Sequence, residues 1–390
     1  MKQADVIIVG GGIQGVSLAL ATAKRGLTPL IVERTALGAG ASGASYGIVH
    51  GGLRYLQTMN IRRWLRSRKA QTWYMEEFPS HVKPLRCVMP LYKNNFRSPL
   101  LFQAAIAMEQ SLINIFDTPS PLPQTYLLGA NQVLRDFNIP SRNLIGGACW
   151  HDAEVKDMPG LLRAMLIKAD LDETSILAPY EATELILDNN RVCGLKVTHA
   201  STGESRELWA DVVVNCAGAW AGSWQDVAPC PTACTLAFNL LLDIHWPGDS
   251  ALAVSTTPGK GRSYFIRPHA EGIFVGTYYR ASPCSSEPVV SSNDIEDFIN
   301  EMNLALPHLK LQASTVKAVT AGLLPDKDGS GKTLSSREQV ICHKIQGFYS
   351  VLGSKFTTAP LLSDEAADTI WPQLAKRDIV REAALEKHHA

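Results

Sequence analysis

Gly10, Gly12, Gly15 and Glu33 are the residues whose type and spacing point most directly to chemistry. They stand in Gly10-Gly11-Gly12-Ile13-Gln14-Gly15, with the acid eighteen positions after the last glycine. Gly10 permits a tight turn, Gly12 lets a pyrophosphate approach the backbone, and Gly15 lets a helix pack closely on a strand. A carboxylate at position 33 can accept hydrogen bonds from a ribose. Alone, such a glycine pattern is a weak signal. Here a buried-strand run, Asp5-Val6-Ile7-Ile8-Val9, precedes it. An apolar helix pattern follows (Val16, Leu18, Ala19, Leu20, Ala23), and a second strand, Pro29-Leu30-Ile31-Val32, ends on the acid. That order is the context a dinucleotide site requires, with the helix N-terminus offering N–H groups and a positive dipole end to phosphates. The bland alternative is a glycine-rich turn without a ligand.

Other candidate chemistries are less well supported. Gly43-Ala44-Ser45-Tyr46-Gly47 matches G-x-S-x-G, but a nucleophile elbow needs a strand directly before it, and a glycine-rich loop stands there. The eight cysteines include no C-x-x-C, which excludes zinc-ribbon, thioredoxin-like and many iron–sulfur patterns. Cys230 and Cys234, the closest pair, read as ordinary thiols. No metal site is expected. Arg62, Arg63, Arg66, Arg68 and Lys69 form a basic helical run that reads as a solvated face. Lys+Arg and Asp+Glu number 37 each, so no global field argues for nucleic acid.

The elements that must position these residues are laid out over 390 residues, enough for two domains. A hydrophobic fraction of 46% and a charged fraction of 19% are those of a globular protein. Residues 61–78 and 161–171 read as helices, Asp211-Val212-Val213-Val214-Asn215 as a buried strand, and 235–280 as alternating strands. The stretch Pro99 to Phe116 is the most apolar, but Gln103, Glu109, Gln110 and Asn114 interrupt it. It reads as an amphipathic core helix, with a membrane-surface helix as the alternative. The start, middle and end of the chain carry βαβ-like segments. The expected fold is therefore α/β, a Rossmann-like nucleotide-binding domain built from discontinuous segments (1–78, 149–228 and 319–390). A second domain on a mainly antiparallel sheet would come from 79–148 and 229–318. A domain strand begins within five residues of the N-terminus, so a cytoplasmic protein, at most peripheral to a membrane face, is expected.

Spacing does not separate NAD from FAD. Three features lean to FAD: the fingerprint at the very N-terminus, the second Gly/Ser loop Gly38 to Gly47, and late backbone approach points at Asn215-Cys216-Ala217-Gly218 and Gly353-Ser354-Lys355. The run His50-Gly51-Gly52-Leu53-Arg54-Tyr55-Leu56 closely resembles the flavin-dependent glycerol-3-phosphate dehydrogenases of the D-amino-acid oxidase superfamily. Asn215-Cys216-Ala217-Gly218-Ala219-Trp220 is similar to that family's N-A-A-G-x-W, Gly276-Thr277 to its G-T-T-D, and Val351 to Thr358 to its V-x-G-G-K-x-T-T. The resemblance covers nearly the whole chain. It implies FAD, held by Gly10, Gly12, Ile13, Gln14, Gly15, Glu33, Arg34, Ala41, Ser42, Gly47, Ala182, Ala217, Gly218, Trp220, Gly353, Lys355, Phe356 and Thr357. It also implies that Arg54 and Tyr55 line the substrate pocket, that Arg337 holds a phosphate, and that Lys355 lies by the flavin. His50 admits several roles: catalytic base, flavin neighbour, covalent anchor or structural cap of its loop. Arg262 and Arg267 lie in the inserted sheet, where either could reach a substrate.

Two positions depart from the family pattern. Asn239 stands for its G-S-H-I-V-V histidine and Leu324 for its G-V-R-P arginine, which unsettles glycerol 3-phosphate as substrate but not flavin binding. The expected function is an FAD-dependent oxidation of the CH–OH group of a small anionic substrate, by hydride transfer to flavin N5. The acceptor would be a quinone, oxygen or a partner protein. An amine or amino-acid oxidase on the same scaffold is the enzyme alternative. A flavin-binding partner subunit, inactive alone, is the alternative from another class.

Overall fold

The computed structural model describes residues 4–372 except 57, 94–98, 119, 225–232, 258–259, 332–333 and 335. Val6–Val9 is buried along its length because it is the interior of a six-stranded sheet. In order across this sheet lie Glu338–Cys342, Phe348–Gly353, Val212–Asn215, Val6–Val9, Pro29–Val32 and Ile176–Leu177. All neighbours pair parallel except the edge strand Glu338–Cys342. Strands covered on both faces read as continuous apolar runs, which is why 6–9 and 212–215 are legible without alternation; helices cover one face here and the antiparallel strands of residues 180–209 the other. The helix Ile13–Ala23 covers one face together with Met158–Lys168 and a helix over 359–372, around Val16, Leu18, Leu161, Leu162 and Ile370.

The second large sheet has nine strands. Its order is Val316–Pro325, Ala233–Leu242, Gly272–Pro283, Lys260–His269, Ala251–Thr257, Val82–Tyr92, Leu144–Val155 and Ile48–Val49, with Tyr126–Gly129 also paired to Leu144–Val155. Every pairing is antiparallel except that of Ala251–Thr257 with Val82–Tyr92. Its core is aromatic: Phe238, Tyr264, Tyr278 and Phe298 contact one another beneath the helix Ser292–Ala305, which a Ser291/Asp294 capping box starts. Two of the expected domain cuts, 149 and 319, fall inside strands of this sheet. The cuts were set between βαβ-like and strand-rich stretches, whereas these long strands run on past those points. A third, three-stranded sheet spans Tyr180–Asp188, Arg191–His199 and Ser205–Trp209. Its first hairpin turns at Asn189 and Asn190, both at positive φ, a conformation that asparagine tolerates.

Cys234 is not an ordinary thiol: it forms a disulfide with Cys284. The reason lies in strand pairing, which sets Cys234 opposite Ser282, two residues short of Cys284, despite a sequence separation of 50. Cys230 and Pro229 to Pro231 lie outside the described residues. The helix Pro99–Phe116 forms as expected, and no helix among the described residues is long and apolar enough to cross a membrane.

Candidate active site

The glycine turn is built as its residue types require. Gly10 has φ +107°, and a Cβ there would lie 2.7 Å from the Cys216 carbonyl oxygen. At Gly15 a Cβ would lie 1.9 Å from the Gly10 carbonyl oxygen, so helix and turn touch through backbone. Gly12 starts the helix without a side-chain cap of its own. Instead, Ser42 from the second glycine loop accepts a hydrogen bond from the Ile13 N–H at 2.8 Å. A hydroxyl oxygen thus stands where a helix N-terminus binds phosphate oxygens. Glu33 accepts from the Gly11 N–H at 2.7 Å and from the Thr35 N–H and hydroxyl at 2.9 Å, which sets its carboxylate beside the turn.

Further expected cofactor residues gather here. Arg34 lies 4.1 Å from the Trp220 ring centroid, and Ala182 and Ala217 pack in one cluster with Val9 and Val32. Gly47, at φ +78°, accepts from the Val155 N–H at 2.7 Å, joining the second loop to the nine-stranded sheet. Ala41 lies against Gly322 of the same sheet. Gly218 is also at positive φ. Gln14 does not turn its side chain toward the turn. Its amide donates to Ser363 at 2.6 Å, tying the first helix to the helix over 359–372, and a Gly353 Cβ would lie 2.6 Å from its Oε1. Phe356 stacks on Tyr74, and Thr357 is buried.

The side-chain end is a cluster around Tyr55. Its hydroxyl accepts from Lys355 Nζ at 2.5 Å and from Arg54 at 3.1 Å. Arg54, Lys355 and Arg63 lie 5.0, 4.9 and 5.3 Å from the Tyr55 ring centroid. Among the described residues none of these three cations forms an ion pair with a carboxylate within 4.0 Å. Burial lowers the Lys355 pKa, and repulsion by Arg63 and Arg54 adds to it, outweighing Tyr55. Burial would raise the Tyr55 hydroxyl, but the charges of Arg54 and Lys355 outweigh it and hold it below its ordinary value. Arg337 directly precedes the edge strand Glu338–Cys342 and meets the loop that carries Lys355 through its backbone. Its backbone N–H donates to Ser354 at 2.8 Å, its head reaches Gln339 at 3.1 Å, and its Nε is buried without a hydrogen-bond partner.

His50 is held from behind. Its Nδ1 lies 2.9 Å from Asp152 Oδ2, and Asp152 also accepts from Gly51 N at 2.8 Å, Trp150 Nε1 at 3.0 Å and Gln71 Nε2 at 3.3 Å. Burial alone would raise the Asp152 carboxyl. The His50 charge and these donors outweigh burial and hold it below the usual carboxylate value. A carboxylate only accepts, so Nδ1 carries the hydrogen, and in the neutral form of the ring the lone pair is on Nε2.

Other candidates are satisfied elsewhere. Arg267 is buried, donates to the Tyr46 carbonyl at 3.2 Å and lies 3.7 Å from Glu154; Arg262 donates to the Tyr279 carbonyl at 3.1 Å. Asn239 is buried and bridges Ala44, Thr320 and Thr277 at 3.0, 3.2 and 2.8 Å. The basic run is a solvated face only in part: Arg62, Arg63 and Lys69 are exposed, whereas Arg66 pairs with Glu338 and Glu365, and Arg68 with Glu109. Asp152, Ser336 and Tyr279 were not singled out from sequence, and Arg63 entered only as a member of the basic run. Asp152 had one usable signal, its place in the polar patch His151, Asp152 and Glu154 near the end of a mostly apolar strand.

Residues 5–369 match the family described as FAD dependent oxidoreductase. The chain belongs to this family. An FAD-dependent oxidoreductase fits the geometry: a glycine turn whose Gly12 faces only the Ser42 side chain, an acid by the turn, and the Ser42 hydroxyl on the helix N-terminus. The chain is similar to an alpha-glycerophosphate oxidase of Enterococcus casseliflavus, 26% identical over 86% of this chain and 57% of that one. It is likewise 26% identical to a glycerol-3-phosphate dehydrogenase of Mycobacterium leprae, over 94% of this chain and 63% of that one. It thus spans less than two thirds of these relatives' length. The fold matches the glycerol-3-phosphate dehydrogenase from Bacillus halodurans complexed with FAD, with TM-score 0.73 and 20% identity over 96% of this chain and 65% of that one. L-proline dehydrogenase from P. horikoshii shares the fold at TM-score 0.67 and 17% identity, over 95% of this chain and 93% of that one.

Proposed function

We propose that this FAD-dependent oxidoreductase oxidises the CH–OH group of a small anionic substrate. The observation that carries this reading is the group of three cations on Tyr55, none of which forms an ion pair with a carboxylate among the described residues. Uncompensated cations in one place are the donor set of an anion site. Arg54 and Lys355 grip the substrate's anion, Tyr55 orients it, and the unpartnered Nε of Arg337 offers a further donor. His50 Nε2 takes the hydroxyl proton, with Asp152 fixing the ring and offsetting the charge it gains. FAD, when bound, supplies the acceptor for two electrons and the carbinol hydrogen. The relatives' names support a polyol phosphate such as glycerol 3-phosphate. An amino acid would bring an ammonium into a site already crowded with positive charge, which favours the hydroxy substrate.

The cofactor part of the proposal assigns the expected FAD contacts to 1–78, 149–228 and 319–390, with Gln14 contributing backbone only. The acceptor is a quinone, oxygen or a partner protein; the exposed Met59, Ile115 and Phe116 support contact with a membrane surface, from which a quinone would come. The test is an anaerobic panel of polyol phosphates, hydroxy acids and amino acids, scored by flavin bleaching. Bleaching by an anionic hydroxy compound is expected. Bleaching by amino acids alone would replace this reading with amine oxidation, and bleaching by none would favour a subunit inactive alone.

A further inference from the structure

An open cleft of about 370 Å³ lies beside Arg63, lined by Asn60, Arg63, Lys327, Leu334, Ser336 and Glu338. The acid among these described residues, Glu338, is hydrogen-bonded on both oxygens, and its partner Arg66 also pairs with Glu365. Glu338 Oε2 accepts from Arg66 Nε at 2.8 Å, and Oε1 accepts from the Thr358 hydroxyl at 2.7 Å. Arg63 donates to the Ser336 hydroxyl and keeps its remaining N–H groups. Lys327 is exposed, and neither it nor Arg63 makes an ion pair among the described residues. Asn60 accepts from the Arg63 N–H through Oδ1, which leaves its amide N–H groups available. The described lining therefore offers two cations outside any ion pair among the described residues, an amide donor and a hydroxyl.

We propose that this cleft is an outer oxyanion site, in which Arg63 and Lys327 bind a phosphate-type group. Arg63 belongs both to this cleft and to the cluster on Tyr55. An anion held in the cleft thus stands next to the inner cations, and the cleft captures the anionic substrate before Arg54 and Lys355 take it. In that role it rests on the reading of the Tyr55 cluster as the substrate's anion site; as a phosphate site it stands by itself. A guanidinium fork beside a flexible ammonium suits a tetrahedral oxyanion, and opposite charge at a cleft mouth raises the encounter rate.

The experiment titrates inorganic phosphate into the FAD-loaded protein by calorimetry at constant ionic strength. The variants are Lys327→Ala, Lys327→Arg, Arg63→Gln and Arg54→Ala. Lys327→Ala changes an exposed side chain and should fold as wild type. It should weaken phosphate binding roughly three- to fivefold, with Lys327→Arg restoring most of it. Arg63→Gln should weaken it more, and Arg54→Ala should leave an outer phosphate bound. With the bleaching substrate, Lys327→Ala should raise KM more than it lowers kcat, which marks the substrate and not free phosphate as the cleft's user. Wild-type protein that binds no phosphate, or binds it equally well with Lys327→Ala, overturns the proposal. Binding lost with Arg54→Ala but not with Lys327→Ala also overturns it, while leaving the inner site intact. Binding lost with Lys327→Ala, in a protein whose turnover is indifferent to Arg54, keeps the outer site and removes the inner one.

Discussion

The two ends of the site are made differently. The turn at Gly10 to Gly15 is a backbone device: its partners are carbonyl oxygens of Gly10 and Cys216 and N–H groups of Gly11 and Ile13. The Tyr55 cluster is a side-chain device, assembled from the short helix Leu53–Leu56, the helix Ile61–Glu77 and the loop after Phe348–Gly353. Backbone devices tolerate no added atom. Side-chain devices lose function by removal and need not lose the fold. The contrast teaches that cofactor retention and turnover should respond to separate sets of substitutions.

The largest effect should come from adding one carbon to the turn. Gly15→Ala places its Cβ 1.9 Å from the Gly10 carbonyl oxygen, so helix and turn must part. The variant should purify colourless or fail to fold, as FAD release and absorbance will show. Gly12→Val is milder for the fold, because its Cβ meets only the Ser42 hydroxyl, at 3.0 Å. It should nonetheless lose FAD, together with the stability that bound cofactor adds. Full flavin content in both would break the account of the turn.

Next in size is Asp152→Asn. The amide keeps the shape but no longer offsets charge gained by His50. A fall in kcat on the order of 10²-fold, with FAD content unchanged, is expected. The same residue predicts a pH effect on stability. Its folded pKa is depressed, so its contribution is complete above the ordinary carboxylate range and is lost as pH falls through the depressed value. Melting temperatures down to about pH 3 should therefore decline less steeply in Asp152→Asn than in wild type. The smallest effect should be Arg34→Ala, which removes the cation over Trp220. About 0.5–1 kcal/mol, a few-fold in FAD dissociation constant, is expected from equilibrium dialysis, with kcat untouched.

Legibility followed the same division. The first βαβ unit was readable because its signals are local: apolar strand runs, glycines at fixed offsets and an acid at the strand end. The segment around Arg54 and Tyr55 was readable through its resemblance to a flavoprotein family. Asp152 and Arg63 were not, because each acquires its role through partners far along the chain: Asp152 lies 102 residues from His50, and Ser336 lies 273 from Arg63. The same holds for the Cys234–Cys284 bond, which only strand pairing brings together. Gln14 shows the converse. Its place in the fingerprint suggested the cofactor, but a helix residue facing inward packs against its neighbour, and here that neighbour is Ser363.

The separation of the two ends is tested most directly by Arg54→Ala, with FAD per protein and the anaerobic rate of flavin reduction measured on one preparation. Once substrate covers the site, removing the guanidinium should cost on the order of 2–5 kcal/mol in kcat/KM. Arg54→Lys should recover part, since an ammonium lacks the fork. The account predicts wild-type FAD content and a reduction rate per flavin that has largely vanished. FAD lost in proportion to activity, with an unchanged rate per bound flavin, would contradict it and make Arg54 a brace of its loop.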